Sequence, residues 1–120
     1  RAGPRSTLAG SRVPAEQLPR IDRDLVTVDK PNSIALRMAM VASDEADLVA
    51  TVRWGNEWDI AAAALIAQEA GAAVTDALGD PLRFNRPRPT AFGILCAVPG
   101  IHAAAVERLA PRALEILGKA

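Results

Sequence analysis

Tyrosine is absent from this 120-residue chain, and aromatic residues make up only 3% of it. There is a single cysteine, Cys96, and a single histidine, His102. One cysteine excludes an intrachain disulfide. One histidine and one cysteine cannot form a zinc cluster of the usual four ligands, and no serine lies at a spacing that suggests a serine–histidine nucleophile. Net charge is absent too, with 14 basic and 14 acidic side chains. The long-range positive field of a nucleic-acid binder is therefore missing, and no nucleic-acid polymer is expected as a partner. No apolar run approaches the roughly twenty residues of a membrane span, and no signal-peptide pattern is present. A lone thiol in an apolar run fits a buried residue in a reducing cytoplasm, the expected location.

What remains is half hydrophobic and rich in alanine, enough for one aliphatic core with closely packed helices. Residues 1–10 read as a tail or severed linker, and 11–120 as one domain. Within it, 7–12 suggests a short edge strand and 14–21 a weak helix with Pro14 in its first turn. Residues 24–28 alternate like a strand. The stretch 33–43 is apolar nearly all round, which predicts a buried helix, with Asn32 or Ser33 as its N-cap. Strands follow at 48–52, 73–76 and 82–84. A helix over 57–70 stops at Gly71, which can adopt the left-handed conformation. Residues 91–98 form a continuous apolar run and predict a central strand. The final helix, 101–117, is expected to kink or break at Pro111. Strands alternating with helices predict an α/β fold, a three-layer α/β/α domain whose mixed sheet is flanked by helices.

The most specific text is Trp58-Asp59-Ile60-Ala61-Ala62-Ala63, followed by Glu69-Ala70-Gly71-Ala72. It puts one carboxylate at the start of a small-residue helix. Such a group suits Mg²⁺, which takes oxygen ligands and is commonly held by one or two carboxylates plus substrate phosphate. These residues resemble the second signature of the inositol monophosphatase family, W-D-x-A-A-G followed by E-A-G-G. Ala63 and Ala72 stand where that pattern has glycine. Ser33-Ile34-Ala35-Leu36, Ala46-Asp47, Val74-Thr75-Asp76, Gly79-Asp80-Pro81-Leu82 and Asn85 extend the similarity, which runs from about Ser11 to the C-terminus.

The resemblance implies a Mg²⁺-dependent phosphomonoesterase that hydrolyses a small phosphorylated metabolite with metal-activated water. Asp59 would ligate one of the two or three ions, and Trp58 would pack beside it and fix its rotamer. Ser33 and Ile34, at a helix start, would meet substrate. Arg53 stands near a point where the family carries a substrate-binding glutamate. Its fork suits a second phosphate, and with Glu57-Trp58-Asp59 it tilts the substrate from inositol monophosphate toward a 3′(2′),5′-bisphosphate nucleotide. The family's first signature, D-P-[ILV]-D-G-[TS], does not occur, nor does the upstream glutamate that completes its metal site. The chain also begins with Arg1. It therefore reads as the C-terminal domain of a longer phosphatase, with the missing N-terminal half as its partner, a homodimer left open, and no catalytic residue or activity of its own. A non-catalytic binding or assembly domain of the same descent is the alternative.

The other polar residues have plainer readings. Glu69 is expected to be exposed or in an interhelical ion pair, and Arg83, Arg86 and Arg88 to lie on a solvated loop. His102 is expected at the surface or as a helix cap.

Overall fold

The computed structural model describes residues 1–51, 57–79 and 93–118; within its helices, the side chains of 57–59, 113 and 115–118 lie outside that description. The elements are β1 (Arg12–Pro14), a 3₁₀ turn (Arg20–Asp22), β2 (Val26–Val28), α1 (Ile34–Ala42), β3 (Leu48–Thr51), α2 (Glu57–Glu69), β4 (Ala73–Thr75), β5 (Ile94–Ala97) and α3 (Pro99–Gly118). The fold is α/β. An antiparallel sheet has the order β3-β5-β4, and β1 and β2 pair in parallel. The Asp47 N–H donates to the Arg12 carbonyl at 2.8 Å, which brings β1 to the start of β3.

Every residue of β5 is buried. Because successive side chains of a strand point to opposite faces, the sheet is covered on both. Helices α1 and α2 pack on each other and on the sheet, and α3 meets β5. The core joins Met38 and Val41 of α1, Ile60, Ala63, Ala64 and Ala67 of α2, the whole of β5, and Ile101 and Ala105 of α3.

Several local expectations shift. The strand expected at 7–12 begins only at Arg12, after a turn in which Gly10 has φ 83°. The helix expected at 14–21 is absent: Pro14 closes β1 and only the 3₁₀ turn Arg20–Asp22 forms. Pro19 is extended, at φ −61° and ψ 156°, and a proline also biases the residue before it away from helix. Helix α3 starts at Pro99 and continues through Pro111 without a break. Ion pairs on both sides of that proline hold it: Arg108 bonds both oxygens of Asp24 at 2.7 and 2.8 Å, and Arg112 bonds both oxygens of Asp22 at 3.0 Å. Helix α1 is less enclosed than expected, since Leu36 is 57% exposed. The proposed strand 82–84, the loop arginines, and Ala91 and Phe92 of the central strand fall outside the described residues.

Both α1 and α2 end in the same device. After α2, Gly71 takes φ 95°, its N–H donates to Gln68 and that of Ala72 to Ala67, both at 2.9 Å. After α1, Asp44 takes φ 64°, its N–H donates to Val41, and Glu45 donates to Met40. These paired bonds satisfy the last carbonyls of each helix. Aspartate is among the few residues that visit the left-handed region routinely, and Arg12 bonds its carboxylate.

Candidate functional site

Residues 2 and 3 locate the two helix ends. The Ala2 N–H donates to the Ala70 carbonyl at 2.9 Å, just past α2. A Cβ on Gly3 would collide with Oδ1 of Asp44, just past α1. Consecutive residues thus touch both C-terminal ends. Since the helices also pack together, they run in the same direction, and their N-terminal ends share the opposite end of the pair. The candidate residues sit there: Ser33 and Ile34 at the start of α1, and Trp58 and Asp59 in the first turn of α2.

Ser33 is the N-cap of α1. It is exposed and extended, and its Oγ accepts from the Leu36 N–H at 3.3 Å. The hydroxyl proton stays available to donate. Ile34 is half-buried against the core, so its contribution to any contact outside is its backbone N–H. Asp59 is the third residue of α2, placed for a favourable interaction with the helix macrodipole. The side chains of Trp58 and Asp59 lie outside the described set, and so does Arg53 altogether. Among the described residues no group of three or more acidic, histidine or cysteine side chains could hold a metal ion. A carboxylate at Asp59 is chemically fit as one hard-oxygen donor; a full coordination shell needs more.

Other polar groups have structural partners. Asp47 is buried and accepts from the Arg12 N–H at 2.8 Å, Arg12 Nε at 3.0 Å and Nη2 at 2.9 Å, with Arg5 Nε at 3.3 Å. Burial pushes its carboxyl up, but the bonds from Arg12 and the charges of Arg12 and Arg5 outweigh that and hold it below the ordinary range. Glu69 is exposed. His102, expected at the surface or as a cap, is half-buried, with Nε2 3.0 Å from Thr75 Oγ1. Thr75 Oγ1 also lies within hydrogen-bond distance of the Asp76 carbonyl, at 2.9 Å. Burial lowers the pKa of His102. Cys96 is fully buried in β5 and burial pushes its thiol up to about 12, which makes it inert as a nucleophile. A mostly apolar cavity of about 210 Å³ opens between the N-terminal segment, β3 and α3, with Asp22, Arg108, Arg112 and Arg37 as its polar wall.

Sequence reasoning passed over Arg37. It is the sole charged residue of α1, and its signal was that isolation within an apolar run. Its Nε donates to the Pro31 carbonyl at 2.7 Å and its Nη2 to that of Asn32 at 2.8 Å.

An α/β domain with two parallel helices presenting their N-termini at one end is a scaffold suited to anionic substrates. The model of the inositol monophosphatase family matches residues 8–119, and the chain belongs to that family, whose members are phosphatases and generally metal-dependent. Solved structures agree in fold. Inositol monophosphatase II from Staphylococcus aureus is 22% identical with a TM-score of 0.77, over 98% of this chain and 47% of that one. The Thermotoga maritima inositol monophosphatase is 24% identical with a TM-score of 0.74, over 96% and 46%. The extragenic suppressor protein SuhB from Bartonella henselae is 23% identical with a TM-score of 0.71, over 91% and 45%. The chain thus spans about half the length of these proteins. No curated protein matches it.

Proposed function

We propose that this chain is the leaving-group half of a Mg²⁺-dependent phosphomonoesterase acting in the cytoplasm on a small phosphorylated metabolite. What supports the reading is the placement of Ser33 and Ile34 at the start of α1 and of Trp58 and Asp59 at the start of α2, two helices that pack together and whose C-terminal ends both meet residues 2 and 3. First-turn N–H groups have no partner within their own helix and favour anions. Asp59 would give one oxygen to a cation, and Trp58 would hold that carboxylate's rotamer and keep water out. The Ser33 hydroxyl and the N–H of Ile34 would donate to substrate oxygens. Arg53 would pair a second phosphate if the substrate has one. Bound Mg²⁺ supplies an acidified water and stabilises developing charge. That chemistry needs further ligands, which this reading assigns to an N-terminal half of the same protein.

The seat for such a half is suggested by α2. Ile60, Ala63, Ala64 and Ala67 face the core, while Ala62, Leu65, Ile66 and Glu69 form a second stripe at the same spacing on the other side. Leu65 and Ile66 of that stripe are 59% and 56% exposed. A helix apolar on both sides is suited to burial between two layers.

Within the class, inositol monophosphate and a 3′(2′),5′-bisphosphate nucleotide compete. The staphylococcal protein has been solved with inositol monophosphate and with 2′-AMP bound, which supports a pocket of this fold accepting either a polyol or a nucleotide ester. The non-catalytic alternative drew on Ala63 and Ala72 in place of glycine. Both are buried within the core cluster, so each extra methyl group is packed in the interior, which removes much of the ground for that alternative.

The test is Asp59→Asn in the full-length protein, with Mg²⁺ and with inositol 1-phosphate or adenosine 3′,5′-bisphosphate as substrate. Asparagine keeps the shape and removes the charge. The rate should fall at least about 100-fold, equivalent to about 2.7 kcal/mol of transition-state stabilisation, and the Mg²⁺ requirement should rise. Near-unchanged turnover at the same Mg²⁺ requirement would reduce Asp59 to a helix-end carboxylate. The chain alone is expected to be inactive on both esters.

A further inference from the structure

Arg37 does something unusual for a helix side chain: it reaches back past the cap of its own helix. Side chains in a helix lean toward its N-terminus, and Arg37 extends that lean until Nε meets the Pro31 carbonyl and Nη2 the Asn32 carbonyl. No peptide bond among the described residues is cis. In a planar trans peptide the C=O and the following N–H point in opposite directions. Fixing the Pro31 carbonyl therefore fixes the Asn32 N–H, and fixing the Asn32 carbonyl fixes the Ser33 N–H, both on the side away from the guanidinium. Next along the chain come the N–H groups of Ile34 and Ala35, which open the helix. The Leu36 N–H is already taken by Ser33 Oγ. The row of backbone donors at the start of α1 is thus aimed by two side chains, Ser33 and Arg37.

We propose that Arg37 is a positioning residue for the substrate contact at the start of α1. It acts through the peptide planes of 31–33 and touches no substrate. This rests on the functional reading that Ser33 and Ile34 meet substrate. Two carbonyls held at once call for the planar fork of arginine; a lysine ammonium is a point charge that would not hold both in fixed geometry. The role is separate from binding charge, because both of the fork's acceptors belong to the chain's own backbone.

The experiment compares Arg37→Met and Arg37→Lys with the unmodified full-length protein. Steady-state kinetics on inositol 1-phosphate and adenosine 3′,5′-bisphosphate are read beside the amide signals of Ser33 and Ile34. In Arg37→Met, KM should rise about tenfold, equivalent to about 1.4 kcal/mol. The value of kcat should stay within about twofold, the pattern of lost uniform binding, and both amide signals should move. Arg37→Lys keeps the stem and the charge and should recover only part of the loss. If Arg37→Met fails to fold, the lysine variant carries the test, with the same rise in KM to a smaller degree. Unchanged KM with unmoved amide signals overturns the proposal, and so does full rescue by lysine, which would reduce the role to charge. Absence of turnover from the unmodified protein overturns the functional reading on which the proposal rests. Amide signals that still move in Arg37→Met would then show that the grip on the backbone is real and that the assigned substrate is what failed.

Discussion

The two ends of the α1 and α2 pair are built from different materials. At the C-terminal end, the last carbonyls are taken by paired bonds after both helices, Ala2 caps Ala70, and Arg5 and Arg12 clamp Asp44 and Asp47. At the N-terminal end, the described residues give a serine cap and the backbone grip of Arg37, both on α1. The contrast separates anchoring from availability. One end spends its polar groups on the fold itself, while at the other the proposed function assigns the first-turn donors of α1 to substrate.

The largest effect expected from breaking this contrast is at the anchored end. Asp47→Ala removes the buried acceptor shared by Arg12 and Arg5; both arginines are about one-third exposed and can turn to water, so the cost in chemical denaturation should be about 2–3 kcal/mol. A loss below about 1 kcal/mol would mean that the clamp is replaceable by water.

The two sides of α2 give the next step. Ala67 is fully buried while Ala62 on the opposite stripe is exposed. Ala67→Leu should overpack and cost about 1–3 kcal/mol, whereas Ala62→Leu in the isolated chain should stay within about 0.5 kcal/mol. Equal effects at both positions would contradict the assignment of inner and outer faces. At the available end, Ser33→Ala should cost about 1 kcal/mol through loss of the cap. Circular dichroism melts of the two proteins would measure it, and no change would show that the cap contributes nothing there.

Acid should reveal the anchors without any mutation. The Asp24 carboxyl is lowered chiefly by its bonds from Arg108, and Asp47 by Arg12 against the opposing effect of burial. Their contribution is present above the ordinary carboxylate value of 3.8 and is lost as pH falls through the lowered folded values. His102 adds an earlier slope of the same sign. Its folded pKa lies below the ordinary 6.5, so the unfolded chain binds more protons and stability begins to decline as pH falls below that value. Thermal melts from neutral pH downward would show a shallow decline and then a steep one. His102→Gln should remove the first and leave the second.

The layered α/β class, the central position of β5 and the α2 terminus at Gly71 were legible because each is a local pattern: alternation, an unbroken apolar run, a glycine after a small-residue helix. The helix expected at 14–21 failed because Pro19 sets its own backbone and its neighbour's, a local veto that periodicity ignored. Of the kink or break expected at Pro111, the break does not occur, for the opposite reason. Tertiary pairs with Asp22 and Asp24, some ninety residues earlier for Asp22, restrain the helix on both sides, and no window around the proline contains them. Ser33 as a cap could be read from its place before an apolar run. Arg37 could not, because its acceptors are backbone carbonyls that carry no residue-type signal. That the starts of α1 and α2 share one end of the pair follows only from Ala2 and Gly3 touching the two other helix ends, far apart in sequence.

The order β3-β5-β4 also has a consequence in time. The middle strand is the last of the three to leave the ribosome, since β5 follows both of its neighbours in the chain. Until it arrives, β3 and β4 have no shared partner, and each holds an open hydrogen-bonding edge. Synthesis proceeds at about 5–20 residues per second, so the segment between β4 and β5 sets a wait of the order of a second during which the sheet is only two loose borders. Lengthening that segment would prolong the interval before closure. The middle strand is therefore a clock as well as a core, and growing chains stalled just before Ile94 should be the form most prone to aggregate.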